Sequence, residues 1–239
     1  MNLDFSGKTV LVAGGTGGLG RSVSLAFLEH GANVAVTWRH QEEFSSLSNA
    51  AGKDAGHLAG FNVDVTDPRA TADLVEQVLA RWNRLDALVN TVGGYAGGIP
   101  LWQLEPEVFE RMIALNLRAT YALAKAVAPA MIARKSGTIV NVAARAAWDH
   151  AAGASAYAAS KAASVALIDS LAADLLGTGV RVNSILPSII DTAANRRVMP
   201  KSDFSKWPKP EDIASVILFL SSDEARVVHG ASIPVFGNS

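Results

Sequence analysis

The sequence predicts a single α/β domain built on a mostly parallel sheet. Three observations carry that prediction. Strand-like and helix-like patterns alternate along the chain without a break, with no internal repeat, linker or low-complexity tract. The first strand runs straight into a glycine-rich turn and a helix. The 239 residues are 49% hydrophobic, ample for the core of one large domain.

Lys8 to Ala13 is a short Val- and Leu-rich run, the pattern of a strand buried on both faces. Gly14-Gly15-Thr16-Gly17-Gly18-Leu19-Gly20 follows, then a helical pattern to His30. Glycines let the backbone turn sharply and approach a phosphate, and a helix N-terminus adds free N–H groups and partial positive charge. A tight turn without a ligand is the plainer reading of the glycines alone. Their place between a buried strand and a helix favours a nucleotide. Asn33 to Thr37 reads as the second strand. At its end, where an acid suits a free ribose 2′-hydroxyl, stand Trp38, Arg39 and His40. Arg39 suits a 2′-phosphate through its planar fork, or is a solvated surface side chain.

A helix is predicted over Glu42 to Ala51 and a third strand over Leu58 to Val63, ended by Asp64. Asp67-Pro68 has the form of an N-cap followed by proline at the first helical position, with the helix running to about Arg81. Ala87 to Val89 is the fourth strand, leading through Asn90 into Gly93-Gly94-Tyr95-Ala96-Gly97-Gly98. So many glycines at a strand's end mark a crevice edge or a mobile loop. From about Pro106 to Ile132 the apolar spacing is that of one helix, with Asn116 near its middle. A buried amide there needs a partner, a backbone group or a water.

Gly137 to Val142 reads as a buried strand, followed by a loop of small residues through Gly153 and a helix carrying Tyr157 and Lys161 to about Leu176. Four residues apart, the phenol and the ammonium share one face. A free tyrosine has a pKa of about 10, and a cation one turn away is expected to lower it. Such a pair hands a proton to a developing alkoxide or takes one back. Val180 to Leu186 is the next strand, ended by Pro187. Residues 188–208 lack clear periodicity and read as a lid. Pro210 starts a helix to Leu220, and Ala231 to Phe236 is the last strand.

Composition narrows the function classes. A net charge of -1 gives no electrostatic footprint for nucleic acid or an anionic membrane. With 0 Cys there is no disulfide and no thiolate metal site, and the 5 His lack ligand spacing, so no metal is expected. The first residues include an acid and no basic stretch, unlike a signal peptide, and no apolar run is long enough to span a bilayer. A soluble, cytoplasmic protein is the expectation. Gly153-Ala154-Ser155-Ala156-Tyr157 lacks the second glycine of a nucleophile elbow, which argues against a serine hydrolase.

Taken together, these residues resemble the short-chain dehydrogenase/reductase family over essentially the whole chain. The resemblance implies a Rossmann-type three-layer sandwich of about seven strands as one dinucleotide-binding reductase domain over 1–239, in a homotetramer or dimer. Gly14, Gly18 and Gly20 match the family's cofactor turn, with Thr16 and Leu19 among them. Asp64, beside Val65, matches its adenine-contacting acid, and Asn90 its fourth-strand motif. Asn116, Tyr157 and Lys161 match its catalytic positions. Asn183, Pro187 and Thr192 match a signature that contacts the nicotinamide carboxamide, with Ile190 between them. The implied cofactor is NADPH, with NADH as the alternative. The implied roles are proton donation by Tyr157, a ribose contact from Lys161, and a water held by Asn116.

The sequence also departs from the family pattern. Ala13 replaces the usual Thr, Thr91-Val92 the usual Asn-Ala, and Ser188 the usual Gly. Ala144 stands where the family's catalytic Ser hydrogen-bonds the substrate oxygen. Ser155 is a nearby hydroxyl, placed at the helix start instead of the strand end. The dihydropteridine reductases of the family also lack this serine and carry a loop similar to Gly93 through Gly98, and their segment after the sixth strand resembles Asp191 through Trp207 here. That likeness implies a quinonoid dihydropterin as acceptor, stacked on Tyr95 or Trp148. Two alternatives stay open: a reductase of ketones or 3-oxoacyl thioesters, and a cofactor-binding sensor or partner protein without turnover.

Overall fold

The computed structural model describes residues 3–238. Its centre is a seven-stranded, wholly parallel sheet: β1 (Thr9–Ala13), β2 (Asn33–Trp38), β3 (Leu58–Asn62), β4 (Ala87–Asn90), β5 (Gly137–Val142), β6 (Val180–Pro187) and β7 (Ser232–Val235). The spatial order is β3-β2-β1-β4-β5-β6-β7. The helices are α1 (Gly18–Glu29), α2 (Gln41–Ala51), α3 (Pro68–Trp82), α4 (Pro106–Ile113), α5 (Ala119–Arg134), α6 (Ser155–Asp174), α7 (Ala193–Val198) and α8 (Pro210–Ser221).

The strands sort their side chains by the period of two. Val10, Val12, Val34, Val36, Val89, Val140 and Ile185 enter one core with Val23 and Phe27 of α1 and Ile213 and Ile217 of α8. Leu11, Ala35, Leu88, Ile139 and Val182 enter the other, with Leu74 and Val78 of α3, Leu123 and Met131 of α5, and Ile168 of α6. A sheet buried on both faces explains why these strands read as continuous apolar runs. Several ends follow the sequence directly: the Asp67 carboxylate accepts from Arg69 N–H at 2.8 Å, and Pro68, Pro106 and Pro210 open α3, α4 and α8.

Two expectations change. The predicted helix over 106–132 is interrupted by a wide, π-type turn, Ala114–Arg118, and then continues as α5 to Arg134. The turn brings Asn116 to the loop after β4, where it finds its partners. Residues 188–208, read as irregular, contain α7, whose first turn is capped by the Thr192 hydroxyl accepting from Asn195 N–H at 3.2 Å. Arg196 pairs with Asp191 (Nη2 to Oδ2, 2.7 Å) and lies over the Phe204 ring, which packs against the buried Trp207. Among the described residues no helix is long and apolar enough to cross a membrane.

Candidate active site

The strand order reverses at β1, with β2 on one side and β4 on the other, so the chain leaves their carboxyl ends in opposite directions and opens a crevice there. On the β1 side lies the glycine turn. Gly14 (φ 74°) donates from its N–H to Thr37 Oγ1 at 2.8 Å, fixing the turn to β2. Three of the following glycines, Gly15, Gly18 and Gly20, have no room for a Cβ. A Cβ would come 2.5 Å from Val36 Cγ1 at Gly15, 2.9 Å from Thr192 Cγ2 at Gly18, and 2.1 Å from the Gly14 carbonyl oxygen at Gly20. The N-terminus of α1 carries no side-chain cap, which leaves its first-turn N–H groups available to a ligand. An uncapped helix start behind a backbone cradle fits a pyrophosphate. Leu19 is buried under this turn, and Thr16 Oγ1 donates to Glu43 Oε2 at 3.0 Å.

Arg39 is exposed just past β2, and Asp64 lies just past β3, with the adjacent Val65 buried. Hydrogen bonds from the Thr66 N–H and hydroxyl hold the Asp64 carboxyl below its usual range, with a smaller pull from the Arg39 charge. The two side chains are thus electrostatic neighbours at the far end of the crevice. Trp38 stacks on Phe44 with centroids 5.9 Å apart.

At the end of β4, Asn90 ties the sheet to its neighbours. Its Nδ2 donates to Thr120 Oγ1 at 3.0 Å and to Asn141 Oδ1 at 3.1 Å, and its Oδ1 accepts from Val92 N–H at 3.1 Å. Its side chain fixes the bend at the crevice and is fully occupied within the protein. Thr37, Thr120 and Asn141 were not singled out by sequence reasoning, which had no means of pairing polar residues on different elements.

Asn116, 1% exposed, is held by Gly94 and Ser160. Gly94 N–H donates to its Oδ1 at 3.0 Å, and its Nδ2 donates to the Gly94 carbonyl oxygen and to Ser160 Oγ, each at 3.0 Å. Of the two partners the sequence left open for this amide, a backbone group or a water, the side chain takes the backbone group. Both amide hydrogens are already engaged, and the residue acts as a clamp on the loop after β4. Ser160 was also missed. Its one sequence signal was a small polar residue three positions past Tyr157, the spacing of a shared helix face.

Lys161 is buried at 6% exposure, and its Nζ donates to the carbonyl oxygen of Val142, the last residue of β5, at 3.0 Å. Burial pulls its pKa down to about 8. Tyr157, one turn earlier on α6, is half-buried; burial pushes its phenol up to about 12, and the neighbouring Tyr95 adds to the shift. The expected lowering of the phenol by Lys161 is therefore not what this structure displays. The ammonium is turned to a backbone carbonyl, and desolvation of the phenolate dominates. Gly93 passes so close that a Cβ on it would lie 2.8 Å from Asn116 Oδ1 and 3.1 Å from Lys161 Nζ.

Around this pair, Ala144 is buried and extended at the end of β5, so no hydroxyl enters from that position. Trp148 follows a single 3-10 turn, Arg145–Ala147, and is 51% exposed. Tyr95 is 69% exposed and stands edge-on to Tyr157, ring centroids 4.9 Å apart. Pro187 ends β6, Ile190 accepts from Asn195 Nδ2 at 2.8 Å, and Thr192 lies across from Gly18.

The short chain dehydrogenase family profile matches residues 8–203, which include the glycine turn, Asn116, Tyr157, Lys161 and Thr192. The chain belongs to this family. It is an oxidoreductase. It is 31% identical over 239 residues to a 3-oxoacyl-[acyl-carrier-protein] reductase of Thermotoga maritima, covering 97% of both chains. It is 32% identical to a D-threitol dehydrogenase of Mycolicibacterium smegmatis, covering 99% of this chain and 96% of the relative. A short-chain type dehydrogenase/reductase from Mycobacterium ulcerans superposes with a TM-score of 0.93 at 29% identity, covering 99% of this chain and 90% of that one. These relatives agree with the single Rossmann-type domain read from the sequence.

Proposed function

We propose that this short-chain dehydrogenase reduces a small oxidised acceptor with NADPH, using Tyr157 as proton donor. The observation that carries the reading is the placement of Tyr157 and Lys161 one turn apart on α6, with Lys161 anchored on β5 at the mouth of the crevice. NADPH, when bound, supplies a hydride. Gly14, Thr16, Gly18, Leu19 and Gly20 cradle its pyrophosphate, Arg39 takes the 2′-phosphate, and Asp64 and Val65 border the adenine. Asn90 shapes the crevice wall, and Pro187, Ile190 and Thr192 flank the carboxamide. NADH is the alternative donor.

A phenol with a raised pKa stays protonated, the form a reduction needs. As charge develops on the acceptor atom, Tyr157 gives up its proton to it, while Lys161, held on the Val142 carbonyl one turn along α6, fixes the helix against the end of β5. Asn116 positions the facing loop, and Lys161 also reaches the ribose.

A carbonyl compound is the acceptor class that the relatives' names support: 3-oxoacyl-[acyl-carrier-protein] for one, and D-threitol, the alcohol of such a pair, for another. A second acceptor, a quinonoid dihydropterin, is favoured by the exposed rings of Tyr95 and Trp148, which offer a planar ring a stacking surface. The chain would work as a homotetramer or dimer, supported by Phe109, Tyr121 and Ile132, large side chains left exposed on α4 and α5. Residues 188–208 would close over the acceptor, and the cytoplasm is the proposed location. The test is NADPH consumption with ketones, 3-oxoacyl thioesters and a quinonoid dihydropterin generated in situ. Tight NADPH binding with no acceptor reduced would favour a sensor instead.

A further inference from the structure

Ala144 leaves the site one hydrogen-bond donor short, and the structure holds a candidate replacement on a different element. Tyr95 sits between two fixed points. On one side, Asn116 binds both the N–H and the carbonyl of Gly94. On the other, Ile99 N–H donates to the Gly153 carbonyl oxygen at 3.1 Å, joining the loop to the segment just before α6. Gly153 is itself fitted to this contact: its φ is 72°, and a Cβ would lie 3.1 Å from Ile99 N. A loop sewn down at both ends presents an exposed tyrosine edge-on to Tyr157, at 4.9 Å between centroids. The Tyr95 hydroxyl rests over Gly97, where a Cβ would come 2.0 Å from its oxygen. Solvent exposure alone gives a large aromatic no reason to be held this way.

We infer that the Tyr95 hydroxyl is the second donor to the acceptor's oxygen, in place of the hydroxyl absent at Ala144, and that Gly97 is glycine to admit it. Ser155 is the rival donor. It lies two residues before Tyr157 on the same helix, a spacing that points side chains apart, and its Oγ is enclosed from solvent without a partner. An acceptor entering through the crevice meets Tyr95, not Ser155. With two donors, the oxygen that loses its π bond as hydride arrives takes its proton from Tyr157 while Tyr95 keeps its own and only hydrogen-bonds the developing charge.

This inference rests on the proposed carbonyl reduction, and the experiment separates the two. Wild type, Tyr95→Phe, Gly97→Ala, Ser155→Ala and the double variant Tyr95→Phe with Ala144→Ser are assayed with NADPH and a ketone and 3-oxoacyl thioester panel. The expected result is a loss of about ten- to a hundredfold in kcat for Tyr95→Phe and for Gly97→Ala, with NADPH affinity unchanged. Recovery to within about threefold of wild type is expected when Ala144→Ser restores a donor at the strand end. Full activity of Tyr95→Phe, loss only in Ser155→Ala, or no recovery in the double variant overturns the second-donor role while leaving carbonyl reduction standing. A wild-type protein that binds NADPH but reduces no carbonyl overturns both. A separate readout needs no turnover. With only 3 Tyr in the chain, ring-carbon-labelled tyrosine resolves the Tyr157 titration by NMR. Tyr95→Phe is expected to lower that pKa, and an unchanged value contradicts the paired phenols.

Discussion

Asn116 grips Gly94 by both of its backbone polar groups, Gly94 N–H to Oδ1 and Nδ2 to the Gly94 carbonyl oxygen, each at 3.0 Å. A side-chain amide thus reproduces the two-bond pairing of neighbouring strands, at a point where the chain has left the sheet. The remaining amide hydrogen goes to Ser160 on α6, so one residue joins the turn before α5, the loop after β4 and the helix of Tyr157.

Replacing Asn116 by Ala leaves the Gly94 N–H and carbonyl without these partners in a half-buried setting. A destabilisation of about 2–3 kcal/mol is expected from such orphaned groups. Urea unfolding would measure it. A change below about 0.5 kcal/mol, the range of an indifferent surface substitution, would show that the clamp is dispensable.

Gly20 tests the cofactor turn. A Cβ there would lie 2.1 Å from the Gly14 carbonyl oxygen, and backbone cannot yield as a side chain tip does. Gly20→Ala is expected to weaken NADPH binding at least tenfold, or about 1.4 kcal/mol. Fluorescence titration with NADPH reads this directly. Equal affinity would mean that the turn does not cradle the cofactor.

Arg39 and Asp64 lie at the carboxyl ends of β2 and β3, close enough for the arginine charge to be felt by the carboxylate. Arg39→Asp removes the fork suited to a 2′-phosphate and places an acid where a free 2′-hydroxyl would bond. The ratio of kcat/KM for NADPH over NADH should fall by about tenfold or more. An unmoved ratio would assign Arg39 to the surface.

Lys161 makes stability depend on pH. Its folded pKa of about 8 lies below the ordinary value of 10.5, so the unfolded chain binds the proton more tightly. Below pH 8 burial of the ammonium costs the folded state its full penalty, roughly 3 kcal/mol for a shift of this size. Between pH 8 and 10.5 that penalty disappears as pH rises. Wild type should therefore gain stability relative to Lys161→Met across this window, measured by urea unfolding of both proteins. A parallel pH dependence of the two would show that Lys161 is not the group responsible.

Much of the fold was legible because its signals are local. The strands are apolar runs with glycine or proline at their ends, Asp67-Pro68 announces a helix start, and Gly14 through Gly20 sits between a strand and a helix. The turn at Ala114–Arg118 was not legible, since one wide turn barely disturbs apolar spacing over a long helix. The chemistry divides the same way. The four-residue spacing of Tyr157 and Lys161 put them on one face. Their pKa shifts depend on burial, and burial is set by the packed loop, so the phenol moved up where spacing alone argued for down. The contact between Tyr95 and Tyr157 is a tertiary one, made by a loop that Asn116 and Gly153 tether on either side of Tyr95.

The most direct test of the account is the rate of NADPH consumption by wild type and by Tyr157→Phe, with the best acceptor from the carbonyl and dihydropterin panel. The account predicts turnover by wild type and a loss of at least about a hundredfold in the variant, with NADPH affinity unchanged, as expected for removal of a general acid. A Tyr157→Phe protein that turns over as fast as wild type would contradict it.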